Sequence, residues 1–288
     1  EGLAKIIVAD LIPVLQRFFA YKWYIGEDRV AESVANTVLD YTDEIREYLL
    51  ESYYRKVLVN TLERVVLVLV AQLLEIKKHE GAMISIDADF AAGLDEDYQI
   101  IVQCFLDAGL PERMLNPRVK PLQVIRELLE LQLTSENPGA SAELAANWYR
   151  QILGEFPDMP MDAISRLTKR RAELEPKTVT TILAACNEVY KEHKAEEGEG
   201  TSKPDHHFFN DVYHEMGVKP APYSATEGMF SNFLNAVSKR KRIPKGEGSD
   251  PSRHGRANRP APAAGPRAGS QKSSGCYAVD IRARLFVR

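Results

Sequence analysis

Val65-Val-Leu-Val-Leu-Val-Ala-Gln-Leu-Leu74 holds a single polar residue, Gln72. Around it, Tyr54, Leu58, Leu62, Val65, Leu69, Leu73 and Ile76 are spaced four, four, three, four, four and three apart, the period of one face of an α-helix. Residues 65–74 are apolar all round and must be covered on every side, which makes this a core helix. A membrane span is the competing reading. The apolar run is too short for the roughly 20 residues a bilayer requires, and Asn60, Glu63 and Arg64 stand just before it.

Working outward, the pattern predicts helix over residues 42–78. At about 1.5 Å per residue that is roughly 54 Å, longer than a compact domain of this size needs, and it favours an elongated bundle. Upstream, Ile7, Leu11, Val14, Phe18 and Tyr21 mark a first helix, kinked by Pro13 and ending near Gly26. Asp28 is placed to cap a second, with Val30, Val34, Val38, Tyr41 and Ile45 facing inward. Downstream, residues 79–93 read as a loop in which Ile84-Ser-Ile86 alternates like a very short strand. Helical spacing returns at Tyr98, Ile101, Phe105 and Ala108, with Gly109 and Pro111 as stop signals. Pro121 is expected to open the next helix, with Leu122, Ile125, Leu129 and Leu133 inward. After the Asn137-Pro-Gly turn come Leu144, Trp148 and Ile152. Pro160 and Pro176 then start helices carrying Ile164, Leu167 and Leu174, and Val179, Ile182, Cys186, Val189 and His193. The fold class is all-α, a rod of stacked antiparallel helical bundles over residues 1–195.

Composition shifts at Ala195. Residues 196–242 read as a polar linker with two short helices, one near residues 205–216 and one near 224–239. The second has a capping box, Ser224 with Glu227, and a stripe of Phe230, Phe233, Leu234 and Val237. Residues 243–288 are a basic low-complexity tail expected to be disordered. Residues 1–200 hold 22 Lys and Arg against 34 Asp and Glu, a net −12, whereas residues 201–288 hold 15 against 7, a net +8. The chain opens at Glu1 and is amphipathic from Leu3, as expected of a piece of a longer protein, and its first residues lack the pattern of a signal peptide. Three cysteines, Cys104, Cys186 and Cys276, form no Cys-x-x-Cys pair, so cytosolic residence is expected.

The sequence contains no Gly-x-Ser-x-Gly, no phosphate-binding Gly-x-x-x-x-Gly-Lys, no dinucleotide fingerprint and no His-Glu-x-x-His. Asp87-Ala-Asp89 with Gly93 departs from a calcium loop at its glycine and bidentate positions. His207, Asp211 and His214 would share a helix face able to hold zinc. The plainer reading leaves them solvated, with Phe208, Phe209, Val212, Tyr213 and Met216 buried. Lys239, Arg240, Lys241, Arg242 and Lys245 follow an apolar stripe, the composition of a helix on anionic lipid, of a nucleic-acid contact, or of a solvated helix end. Glu63, Arg64, Arg126, Arg170 and Arg171, between apolar helix positions, read as solvated faces open to partners.

In this order of helices, residues 30–195 resemble the C-terminal part of the Sec-six subunit of exocyst, the vesicle-tethering complex. The likeness rests on three places. They are residues 41–58, an acidic, Tyr-containing segment leading to Leu58; Glu63-Arg-Val-Val-Leu-Val-Leu-Val-Ala-Gln-Leu-Leu74; and Phe156-Pro-Asp followed by Ala163-Ile-Ser-Arg-Leu and Arg170-Arg171. Leu69 stands where an aromatic is common, and residues 196–288 have no counterpart, so the chain is a divergent member. The resemblance implies a non-catalytic tether without cofactor or small-molecule substrate. Its implied partners are other exocyst subunits and SNARE proteins or their regulators, and its implied place is the cytoplasmic side of the plasma membrane. Another helical tether, a SNARE-priming scaffold or a nucleic-acid binder using the basic tail are the alternatives.

Overall fold

The computed structural model describes residues 2–76, 78–79, 82–197 and 207–220. All fall within the first of the chain's two units, Glu1–Lys239. The described elements are α1 (Gly2–Leu15), α2 (Tyr21–Tyr24), α3 (Val30–Arg46), α4 (Glu51–Leu74), β1 (Lys78–His79), β2 (Ala82–Met83), α5 (Ala88–Asp107), α6 (Glu112–Glu130), α7 (Pro138–Glu155), α8 (Met161–Thr168), α9 (Pro176–Glu197) and α10 (Phe208–Glu215). The class is all-α, relieved by one antiparallel two-residue pairing, Lys78 with Met83 and His79 with Ala82.

Helix α4 is the centre. Every residue of the stripe from Tyr54 to Ile76 is buried, and so are Val66, Val68, Val70, Ala71 and Leu74 on the other faces. Helices α1, α3, α6, α8 and α10 supply the cover. By length and composition Glu51–Leu74 is apolar enough to cross a bilayer, so a short apolar run is not what decides its place. Burial decides it, since 72% of its most apolar window lies inside the protein.

The expected continuous helix over 42–78 is divided. Residues 47–50 separate α3 from α4, and Leu50 takes an extended ψ of 142° as α4 begins. Helix α4 has 24 residues, about 36 Å, so the length argument for an elongated bundle falls away.

The first helix also ends early. Pro13 stands in the last turn of α1 instead of kinking a longer helix, and the chain turns at residues 16–20. There Phe19 adopts φ 58°, a left-handed conformation that costs a non-glycine residue about 1–2 kcal/mol. Its ring is buried against Trp23, edge-on at 4.9 Å, and Phe90, stacked at 5.7 Å, and the apolar burial offsets that cost. Asp28 does not cap α3. It pairs with Arg17, which holds its carboxyl below the usual carboxylate range, and Arg29 takes the N-cap position.

Helix α5 starts at Ala88, five residues before the predicted loop ends, because Asp87 caps it by accepting from the Phe90 backbone N–H at 2.9 Å. Pro121 does not open α6. Pro111 occupies the N-cap, and both Pro117 and Pro121 lie inside the helix. They stand four residues apart, so the N–H missing at Pro121 would have paired with Pro117 itself, and Pro121 is buried among apolar neighbours. Asn137 caps α7 and accepts from Ala140 N–H at 3.1 Å, with Pro138 at the first helical position. Leu144 faces outward at 40% exposure, while Ala145, Trp148, Tyr149 and Ile152 face α9 and the core.

Candidate functional site: surfaces of the helical stack

Five charged residues expected on open faces are committed internally. Arg171 is buried. Its Nη1 donates to the Leu128 carbonyl at 3.0 Å, its Nη2 to the Leu131 carbonyl at 2.7 Å, and its Nε to Glu173 at 2.6 Å. The first satisfies a carbonyl that the last turn of α6 leaves without a helical partner, and the second adds to the Leu133 N–H that already meets the Leu131 carbonyl at 2.8 Å. Arg170 does the same for α4, donating to the carbonyls of Leu73 and Leu74 at 3.3 and 3.4 Å, and burial lowers its pKa. The two arginines sit where Ile86 bridges the chain, its N–H donating to the Arg170 carbonyl at 2.8 Å and its carbonyl accepting from Ala172 N–H at 3.0 Å. Arg126 lies over the ring of Tyr98 at 4.2 Å and pairs with Asp95, joining α6 to α5. Glu63 meets Arg118 of α6 at 3.1 Å, and Arg64 meets Glu215 of α10 at 2.6 Å.

Helix α10, expected within a linker, is seated on α4. Phe209 is fully buried and packs edge-on against Phe156 at 5.9 Å. The Tyr213 hydroxyl donates to Asp162 at 2.8 Å, and the Asn210 N–H donates to Asp158 at 3.0 Å. Asp158 therefore serves as an N-terminal cap from 52 residues away, and burial raises its pKa.

This seating disperses the zinc candidate. His207 is exposed ahead of α10, and Asp211 and His214 point to solvent while Val212 and Tyr213 are buried. Among the described residues no group of three His, Cys, Asp or Glu side chains is placed to hold a metal ion. Lys239, Arg240, Lys241, Arg242, Lys245 and the tail at 243–288 lie outside the described residues.

Burial pushes the thiols of Cys104 and Cys186 up to about 12, so both stay protonated near neutral pH and neither is a nucleophile. A cleft of about 740 Å³ opens between α2, the start of α3 and α5, walled by Trp23, Ile25 and Phe90. Asp97 lines it and accepts from the Trp23 indole N–H. Burial lifts its carboxyl to about 6 against that hydrogen bond.

Among the described residues, the most exposed large apolar side chains lie at the α3–α4 connection. Tyr48 is 73% exposed, Leu50 72% and Tyr53 57%, while the next residue, Tyr54, anchors the chain through its buried hydroxyl, which donates to the Ala108 carbonyl at 2.7 Å. Lys56 lies over the Tyr53 ring at 5.7 Å. Sequence reading missed this group. The signal for it was phase: Tyr48, Leu50 and Tyr53 fall off the stripe that runs through Ile45, Tyr54 and Leu58.

Two comparisons bear on this helical order. The solved crystal structure of the C-terminal domain of the exocyst subunit Sec6p is similar in fold, with a TM-score of 0.52 and 16% sequence identity. The match covers 70% of this chain and 48% of that one, so the chain spans about half the length of the solved domain. The family model described as exocyst complex component Sec6 matches residues 1–176, reaching further toward the N-terminus than the resemblance over 30–195 and stopping where α9 begins. By that match over more than half its length, the chain belongs to the Sec6 family of exocyst complex components.

Proposed function

We propose that this chain works as a non-catalytic exocyst subunit, tethering secretory vesicles to the plasma membrane before SNARE-mediated fusion. Its partners are other exocyst subunits and SNARE proteins or their regulators, engaged through helix surfaces at the cytoplasmic face of the membrane. The observation that carries the reading is the trio Tyr48, Leu50 and Tyr53, more than half exposed on adjoining turns of a chain from this family. Large apolar and aromatic side chains held open on a fixed backbone are the usual anchors of protein interfaces, where a few of them supply most of the affinity. The alternation of buried Tyr54 with exposed Tyr53 fixes their direction, so little ordering remains to be done on binding. The basic run at Lys239, Arg240, Lys241, Arg242 and Lys245 adds an attraction to anionic lipid on the same side of the membrane.

The test is affinity capture of the tagged full chain from its own cells, beside a variant carrying Tyr48→Ala, Leu50→Asp and Tyr53→Ala. Wild type should recover exocyst subunits, and the triple variant should lose at least one by about tenfold while unfolding at the same temperature. Recovery of no exocyst subunit by the wild type overturns the function. Equal recovery by both overturns the assignment of the surface.

A further inference from the structure

Helices α1 and α10 both rest on α4 and leave a groove between them. It encloses about 570 Å³ and is lined by the apolar Val8, Ala9 and Ile12 of α1 and Leu67 of α4, together with polar and charged residues that include Arg64 and Asp211. Leu67 is the one member of the Val65–Leu74 run, apart from Gln72, that the described helices leave partly uncovered. Ala9 is exposed, and a residue so small lets another backbone approach α1 closely.

Helix α10 closes with a defined stop. Gly217 takes φ 67°, its N–H donates to the His214 carbonyl at 3.1 Å, and the Val218 N–H donates to the Tyr213 carbonyl at 3.2 Å. That paired bonding is the Schellman stop, which ends a helix and reverses the chain. Seven residues, 217–223, then precede the capping box at Ser224, a length within the usual range for a connection between antiparallel neighbouring helices. Beyond it Phe230, Phe233, Leu234 and Val237 stand at i, i+3, i+4 and i+7, the anchor set of a helix laid in an apolar groove. Left in water, each of those side chains would forgo the gain of burying its apolar surface.

We infer that residues 224–239 form a helix that docks by this stripe into the groove between α1 and α10, against Leu67, and completes the cover of α4. A stripe seated there is not available to a bilayer. The groove and an anionic membrane surface therefore compete for one segment, and docking sets how readily the segment reaches lipid.

Amide hydrogen exchange on the full chain tests this. Peptides covering 227–238 should exchange at least about tenfold more slowly than the same residues in a free synthetic peptide. Leu67→Glu and, separately, Ala9→Arg should return them to the free-peptide rate while α10 keeps its protection. Because Ala9 is exposed, that variant leaves the core intact if Leu67→Glu disturbs it. Phe233→Glu, on the segment itself, should have the same effect and speed exchange in α1. Unprotected 227–238 in the wild type overturns the proposal, as does protection that survives both groove variants. Protection that appears only at concentrations where the chain dimerises, or only with vesicles containing phosphatidylserine, overturns it in favour of a second copy or of lipid.

Discussion

The Arg171 guanidinium donates to the carbonyl of Leu131 at 2.7 Å, closing the end of α6 from 40 residues away. With Leu128 and Glu173 it uses all three nitrogens of the planar fork, while Arg170 beside it serves the end of α4. One dipeptide thus fastens the ends of two core helices, and the Ile86 bridge holds the dipeptide in place.

Arg171→Met keeps the bulk, leaves the buried Leu128 carbonyl without a donor and reduces the Leu131 carbonyl to the Leu133 N–H alone. We expect a loss of about 2–4 kcal/mol, read as a lower urea midpoint at unchanged slope. Arg171→Lys should recover only part of it, because an ammonium cannot span both carbonyls and Glu173 at once.

Leu69→Asp places a charge without a partner at a position 2% exposed in the middle of α4. The cost should reach several kcal/mol and leave little folded protein at 37 °C. Leu69→Ala, a pure cavity, should cost about 2–5 kcal/mol. Unchanged thermal unfolding of the Asp variant would contradict the burial of α4.

Asp97 supplies a pH dependence with a defined sign. Its folded value, about 6, lies above the unfolded value of about 3.9, so the folded state binds more protons between the two. Stability at this site is complete below about pH 4 and declines as pH rises through about 6. Asp97→Asn removes the charge and can still accept from the Trp23 N–H. Its gain over wild type should be near zero at pH 4 and about 1–3 kcal/mol at pH 7.5, measured by urea titration at each pH.

Helix α10 is held by burial more than by charge. Phe209→Ala should cost about 3–5 kcal/mol of docking and abolish exchange protection over 208–215 while α4 remains protected. Glu215→Ala, which breaks a part-exposed pair with Arg64, should change the same protection by about 1 kcal/mol or less.

What the sequence determined by itself was the local periodicity. Tyr54 through Ile76, Val30 through Ile45, and Val179 through Val189 were legible as buried stripes because a helix repeats its environment every three to four residues. The stop at Gly109, the turn at Asn137 and the helix start at Pro160 were marked in the same local way, while the capping bond of Asn137 was seen only in the structure. The tertiary structure alone decided where those helices break and what their charged residues do. Leu49 continues the phase of Ile45, yet the helix breaks at residues 47–50 and the buried stripe resumes at Tyr54, whose hydroxyl reaches the Ala108 carbonyl. Arg170 and Arg171 looked like solvated charges, and α10 like part of a linker, because the partners that fix them lie 40 to 151 residues away. No window of sequence contains both halves of such a bond. Phase alone marked the exposed trio Tyr48, Leu50 and Tyr53, and their residue types did not, since Tyr53 is exposed while the adjacent Tyr54 is core. Only the packing of α3, α4 and α5 determines which side of the chain faces water.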